Sequence, residues 1–255
     1  MGTAVARVAA LCVLLALPFH AFADGAVAAV AASRAVMNWP SSGRIVFRVF
    51  HGDTGLQLGR TTHTWQHDAR RYEMESLVET TGLAALFKNF RYVQRSEGEL
   101  TAAGLRPARF SVDQKGKPPQ HARFDWAQGQ VFIDRGDSHR EAALAAGDQD
   151  VLSLWHQLAR TAHVTLPLTL TVVSNKSAAL SVVRDLGRET VKLPLGDVPA
   201  RHLSVKSDDG NVKLELWLAE GQHLLPVRIR IEDRQGEVLD QQAERIELGA
   251  PKAGS

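Results

Sequence analysis

Gly147-Asp148-Gln149-Asp150-Val151-Leu152-Ser153-Leu154-Trp155-His156-Gln157-Leu158-Ala159-Arg160 is the best amphipathic helix pattern in a chain that otherwise reads as strand after strand. Val151, Leu154, Trp155 and Leu158 fall at i, i+3, i+4 and i+7, and Leu152 and Ala159 widen that stripe. Asp148 or Asp150 can cap the first amides and suits the positive helix end. A lone helix with this much apolar surface has to bury it, and the strands on either side offer the only surface.

Outward from this stretch the pattern has period two. Ile45, Phe47 and Val49 share one face of residues 44–50, and Thr61, His63 and Trp65 share one face of 56–67. Tyr72, Met74, Ser76 and Val78 oppose Arg71, Glu73, Glu75, Leu77 and Glu79, as expected of a wet face carrying cross-strand Arg–Glu pairs. Further strands are expected at 90–100, 105–114, 121–126 and 130–135, with 137–146 leading into the helix. After the helix they resume at 168–174, 180–185, 190–193, 201–207, 212–219, 227–233 and 238–248. Gly82–Lys88 interrupts the alternation with a short helical turn. Asp208–Asn211 and Asp233–Gly236 are hairpin turns. No helices alternate with the strands, and most connections are too short for parallel crossovers. The expected fold is mainly β: a large curved antiparallel sheet or half-open barrel with one central helix packed on its concave face.

Residues 1–23 read as a secretory signal peptide, with Arg7 as the positive charge, Val8–Leu17 as the apolar run and cleavage after Ala23. The apolar run is about ten residues where a bilayer needs roughly twenty, so no transmembrane segment is expected in the mature chain. Residues 24–41 are an Ala-rich linker or flexible arm, 42–248 a single β-rich domain, and 249–255 a disordered tail. Cys12, the one cysteine, lies in the leader, which removes disulfides, thiolate metal sites and cysteine nucleophiles from the mature chain. Such a chain relies on its core rather than on staples and is expected in a bacterial periplasm. The 30 Lys and Arg of the full sequence are interleaved with 28 Asp and Glu and form no basic stripe, so nucleic acid is not an expected partner. Glycine-rich phosphate loops are absent, and no cofactor is expected.

Gly59 and Trp65 with Tyr72, Thr81-Gly82-Leu83, Ser96-x-Gly98 and Gly104-Leu105-x-Pro107 follow one another at a recognisable spacing. They continue through Phe124-Asp125-Trp126, Gln149-Asp150-Val151-Leu152-Ser153, Trp217-Leu218 and Leu225-Pro226-Val227-Arg228-Ile229. In this order they resemble the bacterial domain-of-unknown-function 3108 family over about residues 42–248. The resemblance implies an exported, envelope-associated β-protein and brings no catalytic residues with it. At the level of layout alone, the chain is also similar to the periplasmic lipoprotein carriers, half-barrels with helices covering an apolar cavity.

Candidate chemistry is sparse. His63 and His67 lie on a predicted strand with Trp65 between them and no third ligand nearby, so they are read as partly exposed strand histidines and no metal site is assigned. Asp148 and Asp150 read as helix caps rather than an acid–base pair. Ser153 and His156 have helical i, i+3 spacing but no nucleophile elbow and nothing to orient a base. Glu73 and Glu75 read as a solvated face, and no catalytic residue is assigned. The expected ligand-binding residues are Trp155 and Leu158, facing a cavity, with Phe47, Trp65 and Trp217 as sheet partners. The leading reading is a periplasmic, non-enzymatic binding protein for a lipid, another apolar small molecule or an envelope component. The alternatives are a cell-envelope interaction or assembly module with a filled core, docking an envelope protein, and a hydrolase using Asp150, Ser153 or His156.

Overall fold

The computed structural model describes residues 39–52, 54–81, 90–160, 166–210 and 212–249. The expected leader, most of the arm, the 82–88 turn and all of the tail beyond Gly249 lie outside the described residues.

The first half contributes β1 (Ser42–His51), β2 (Leu56–His67), β3 (Arg71–Thr80), β4 (Arg91–Thr101), β5 (Gly104–Gln114), β6 (Gln120–Asp125), β7 (Gln130–Arg135), β8 (Ser138–Ala143) and the two-residue β9 (Gln149–Asp150). The helix α1 (Ser153–Arg160) follows. Then come β10 (Leu168–Val173), β11 (Ala178–Leu193), β12 (Gly196–Ser207), β13 (Lys213–Ala219), β14 (Pro226–Glu232) and β15 (Val238–Leu248). Among the described residues they form one 15-stranded sheet, ordered β8-β7-β6-β5-β4-β3-β2-β1-β15-β14-β13-β12-β11-β10-β9. Two meanders therefore meet at the antiparallel β1–β15 pair. The period-two pattern explains why. In β3, Tyr72, Met74 and Ser76 are buried while Arg71 and Glu73 are exposed, as short antiparallel hairpins with one wet face require.

The sheet is open and not closed into a barrel: β8 and β9 are its edges. Side chains stitch the two ends together where the ladder does not. Asn175 Nδ2 donates to Gln120 Oε1 at 2.6 Å, and Arg140 Nη1 donates to the Lys176 carbonyl at 3.1 Å. α1 lies against β5, β9 and β14 and so bridges the two meanders from within. Ser153 to Leu158 are all buried.

Three expectations need correction. The helix is shorter than its apolar pattern, because Gln149 and Asp150 pair with Val172 and Val173 of β10, in a parallel register that breaks the otherwise antiparallel pairing. Residues 138–143 form the edge strand β8 rather than a lead into the helix. Its sequence, Ser-His-Arg-Glu-Ala-Ala, is exposed along nearly all its length and shows no alternation to read. The strands expected at 180–185 and 190–193 are one strand, β11, running through a register shift between Asp185 and Gly187. No helix among the described residues is long and apolar enough to cross a membrane.

Candidate functional site

The polar groups buried along α1 are a cap at its N-terminal end, a mid-helix plug, and a set on the side that runs from His156 to Arg160 at the C-terminal end. At the N-terminal end Asp150 is the cap. Its Oδ1 accepts from the Leu152 and Ser153 amides at 2.9 and 2.8 Å, while the Asp150 amide donates to Ser153 Oγ at 3.1 Å. This is the reciprocal arrangement of a capping box, with serine in the place of the usual Glu or Gln. The other carboxylate oxygen accepts from Ser96 Oγ at 2.6 Å, and Ser96 meets the Tyr72 hydroxyl at 3.2 Å. Burial pushes the Asp150 carboxyl above its ordinary range, and the hydrogen bonds from Ser96, Ser153 and Leu152 oppose that shift. Asp148 does not cap: it accepts from Ala145 N and Thr171 N, tying the loop to β10.

Mid-helix, Gln157 plugs the β4–β5 turn. Its Oε1 accepts from Leu105 N at 2.8 Å and its Nε2 donates to the Ala103 carbonyl at 3.1 Å. Gly104, at φ 115°, gives way there, since a Cβ would collide with the Gln157 amide.

On the side that leads to Arg160, His156 meets His63 of β2, Nε2 to Nε2 at 2.8 Å, in a fully buried contact. One ring must donate and the other accept. Burial draws His63 down to about 3, with the Glu75 carbonyl pulling the other way at a geometry short of a hydrogen bond. Burial also holds His156 well below the ordinary imidazole range, reinforced by the charge of Arg160 and by His63 and His67. Both rings are therefore neutral at ordinary pH. Trp39 stacks on His67 at 4.4 Å and lies 5.0 Å from His156 and 5.6 Å from the Arg160 guanidinium. Trp65 packs against both histidines of the pair and donates from Nε1 to the Pro40 carbonyl at 2.8 Å. Gly43 is what lets the Trp65 ring lie across β1, because a Cβ there would fall on the ring.

The structure brings together part of the expected lining. Trp155 and Leu158 are buried, Trp155 edge-on to His63 at 5.2 Å, and Phe47 and Trp65 belong to the same core. Trp217 is not brought to them. Strand alternation sets it on the opposite face from Leu216, where it stacks on His202 at 4.0 Å, carries Arg228 at 4.7 Å and donates to Glu189 at 2.7 Å. Sequence reasoning missed His63, Trp39 and Arg160. The face that His63 shares with Thr61 and Trp65 was its signal, and it is wholly buried rather than partly exposed.

The remaining candidates are occupied. Ser153 Oγ faces the Asp150 backbone, and His156 turns to His63. Glu75 pairs with Arg95 at 2.8 Å and Glu73 accepts from Gln66, as a wet ladder predicts. The described residues include no group of three or more His, Cys, Asp or Glu fit to hold a metal ion. A groove of about 580 Å³ is lined from β1 to β4 and β15 and not from α1.

The crystal structure of a beta-barrel-like protein of domain of unknown function DUF1849 from Brucella abortus is similar over 83% of this chain and 99% of that one, with a TM-score of 0.53 at 10% identity. At that identity the likeness is one of fold alone. An uncharacterized conserved protein from Thermus thermophilus covers 89% and is covered over 96%, with a TM-score of 0.31 at 15% identity. A DUF1329 family protein from Desulfovibrio piger covers 90% and is covered over 94%, with a TM-score of 0.23 at 9% identity. Among curated proteins, none matches. The family model for proteins of unknown function DUF3108 matches residues 45–241, and the chain belongs to that family.

Proposed function

We propose that this chain is an exported, periplasmic protein of the cell envelope that binds an apolar or amphiphilic ligand on the concave face of its sheet and performs no chemistry on it. The observation that carries this reading is the placement of α1, an eight-residue helix within an open 15-stranded sheet, with aromatic side chains gathered around its Trp155 and His156. Concave, mostly apolar sites with a few convergent polar groups are where small molecules bind. Trp155, Leu158, Phe47 and Trp65, all buried in the core, would line that site. The non-enzymatic part rests on occupancy: Asp150 and Ser153 are spent on the cap, and His156 turns to another histidine rather than to a nucleophile. The exported location rests on the leader pattern of residues 1–23.

The test is native mass spectrometry and lipid extraction of protein isolated from its own periplasm, together with uptake of the neutral probe N-phenyl-1-naphthylamine. A bound amphiphile, displaced by the probe, is the expected result. Protein that carries nothing and takes up no probe overturns the reading.

A second reading, an envelope interaction module, draws on the exposed edge strand β8. Arg140 and Glu141 place charges along that edge, the usual guard against strand addition, so the ligand-binding reading is preferred.

A further inference from the structure

Arg160 ends α1 one turn after His156 and on the same side of the helix. A cation suits a helix C-terminus, and the Trp39 ring offers a cation–π face. Neither satisfies the guanidinium, which has five N–H donors in a planar fork and no acceptor of its own. All three of its nitrogens are buried, and none has a hydrogen-bond partner among the described residues. Elsewhere in the chain arginines of the sheet find carboxylates, as Arg228 does with Asp240 and Arg201 with Asp185. A buried charge left without a counter-charge is costly, and such groups normally mark a missing partner.

The surroundings define that partner. The neighbouring imidazoles of His156 and His63 are neutral, so Arg160 sets the sign of the site, and a metal cation is disfavoured beside it. His156 Nδ1 is also buried without a partner. In the tautomer in which His63 donates through Nε2, His156 carries its proton on Nδ1 and adds a second kind of donor to the same end of the helix. A guanidinium fork in dry, aromatic surroundings matches the two oxygens of a carboxylate or phosphate.

We propose that Arg160, with His156 and Trp39 beside it, binds the oxyanion headgroup, carboxylate or phosphate, of an acidic amphiphile whose tail runs along Trp65 and Trp155. The tail rests on the function proposed above; the oxyanion site does not. The experiment is calorimetric titration of the delipidated mature protein, wild type, Arg160→Gln and Arg160→Lys, with oleate, oleyl alcohol and inorganic phosphate. Oleate is expected to bind at least tenfold more tightly than oleyl alcohol. That margin is expected to vanish in Arg160→Gln and survive in part in Arg160→Lys, with the alcohol's affinity unchanged.

Equal affinity of the wild type for acid and alcohol overturns the oxyanion site and leaves the apolar-ligand reading standing. That comparison needs no variant, so a misfolded Arg160→Gln does not blunt it. Arg160-dependent binding of phosphate with no uptake of either amphiphile supports the oxyanion site and overturns the tail and the reading beneath it. Binding of none of the three overturns both.

Discussion

The two ends of α1 are built from the same materials and finished differently. At the N-terminal end a buried carboxylate has every oxygen engaged: Asp150 caps the helix, receives Ser96 and through it reaches Tyr72. At the C-terminal end a buried guanidinium, and one turn before it an imidazole nitrogen, have no partner among the described residues. Burying polar groups is tolerable when their hydrogen bonds are all made, and a completed network fixes one arrangement of the core. An incomplete one stores unmet hydrogen-bonding capacity, which is what a binding site needs. The first end explains why the helix sits where it does; the second carries the oxyanion site proposed above.

The largest effect should come from dismantling the completed end. Asp150→Ala removes the cap and strands Ser96, and is expected to cost about 3 kcal/mol of stability in urea or thermal unfolding. A cost under about 0.5 kcal/mol would show that the network is ornamental and that the contrast between the ends is false.

Acid probes the other end next. His63 and His156 are held low in the folded chain, so the folded state resists protons that the unfolded state takes up. Stability is complete above pH 6.5 and falls as the pH drops below it toward about 3, the folded value for His63. Between pH 6.5 and 5 His63 alone should account for a loss of about 2 kcal/mol. His156 adds in the same direction, while Asp150, raised by burial, works against it. Urea titrations across that range should show the slope in the wild type and its loss in a His63→Gln/His156→Gln double variant.

Gly43→Ala should cost about 1.5 kcal/mol by forcing Trp65 off β1. Adding Trp65→Leu should cancel most of that increment, because the clash is with the ring and not with the backbone; thermal melts of the two single variants and the pair measure the coupling. The smallest effect has the opposite sign. Arg160→Met should leave unfolding in ligand-free protein unchanged or raise it by about 1 kcal/mol, since an unpaired charge gives way to an apolar side chain. Destabilisation there would mean that Arg160 is a packing residue and that the two ends are alike.

Much of the sheet was legible because its inner face is apolar and its outer face charged: Ile45, Phe47 and Val49, or Tyr72 and Met74, announce themselves by alternation. β8 was not legible, since an edge strand exposed on both sides has no alternation to show. The helix start was misplaced because Val151 and Leu152 continue the apolar stripe into residues whose neighbours Gln149 and Asp150 pair with β10. That an acid caps the helix was legible from position alone, as caps are local, but the choice of Asp150 over Asp148 was not, because Asp148 is drawn to the Thr171 amide of β10. Trp39 read as part of a loose arm because nothing in its own neighbourhood shows that His67, His156 and Arg160 converge on it.

By itself, then, the sequence determined the mainly β class, the helix that the sheet must bury and the pair of acids from which its cap is drawn. These follow from period, capping and composition, which act over a few residues. Only the tertiary structure decided that His63 meets His156 across 93 positions of chain, that Trp217 faces away from the helix, and that among the described residues Asp150 ends up satisfied while Arg160 does not. Whether a buried polar group finds a partner depends on what distant strands bring to it, and no local pattern carries that information.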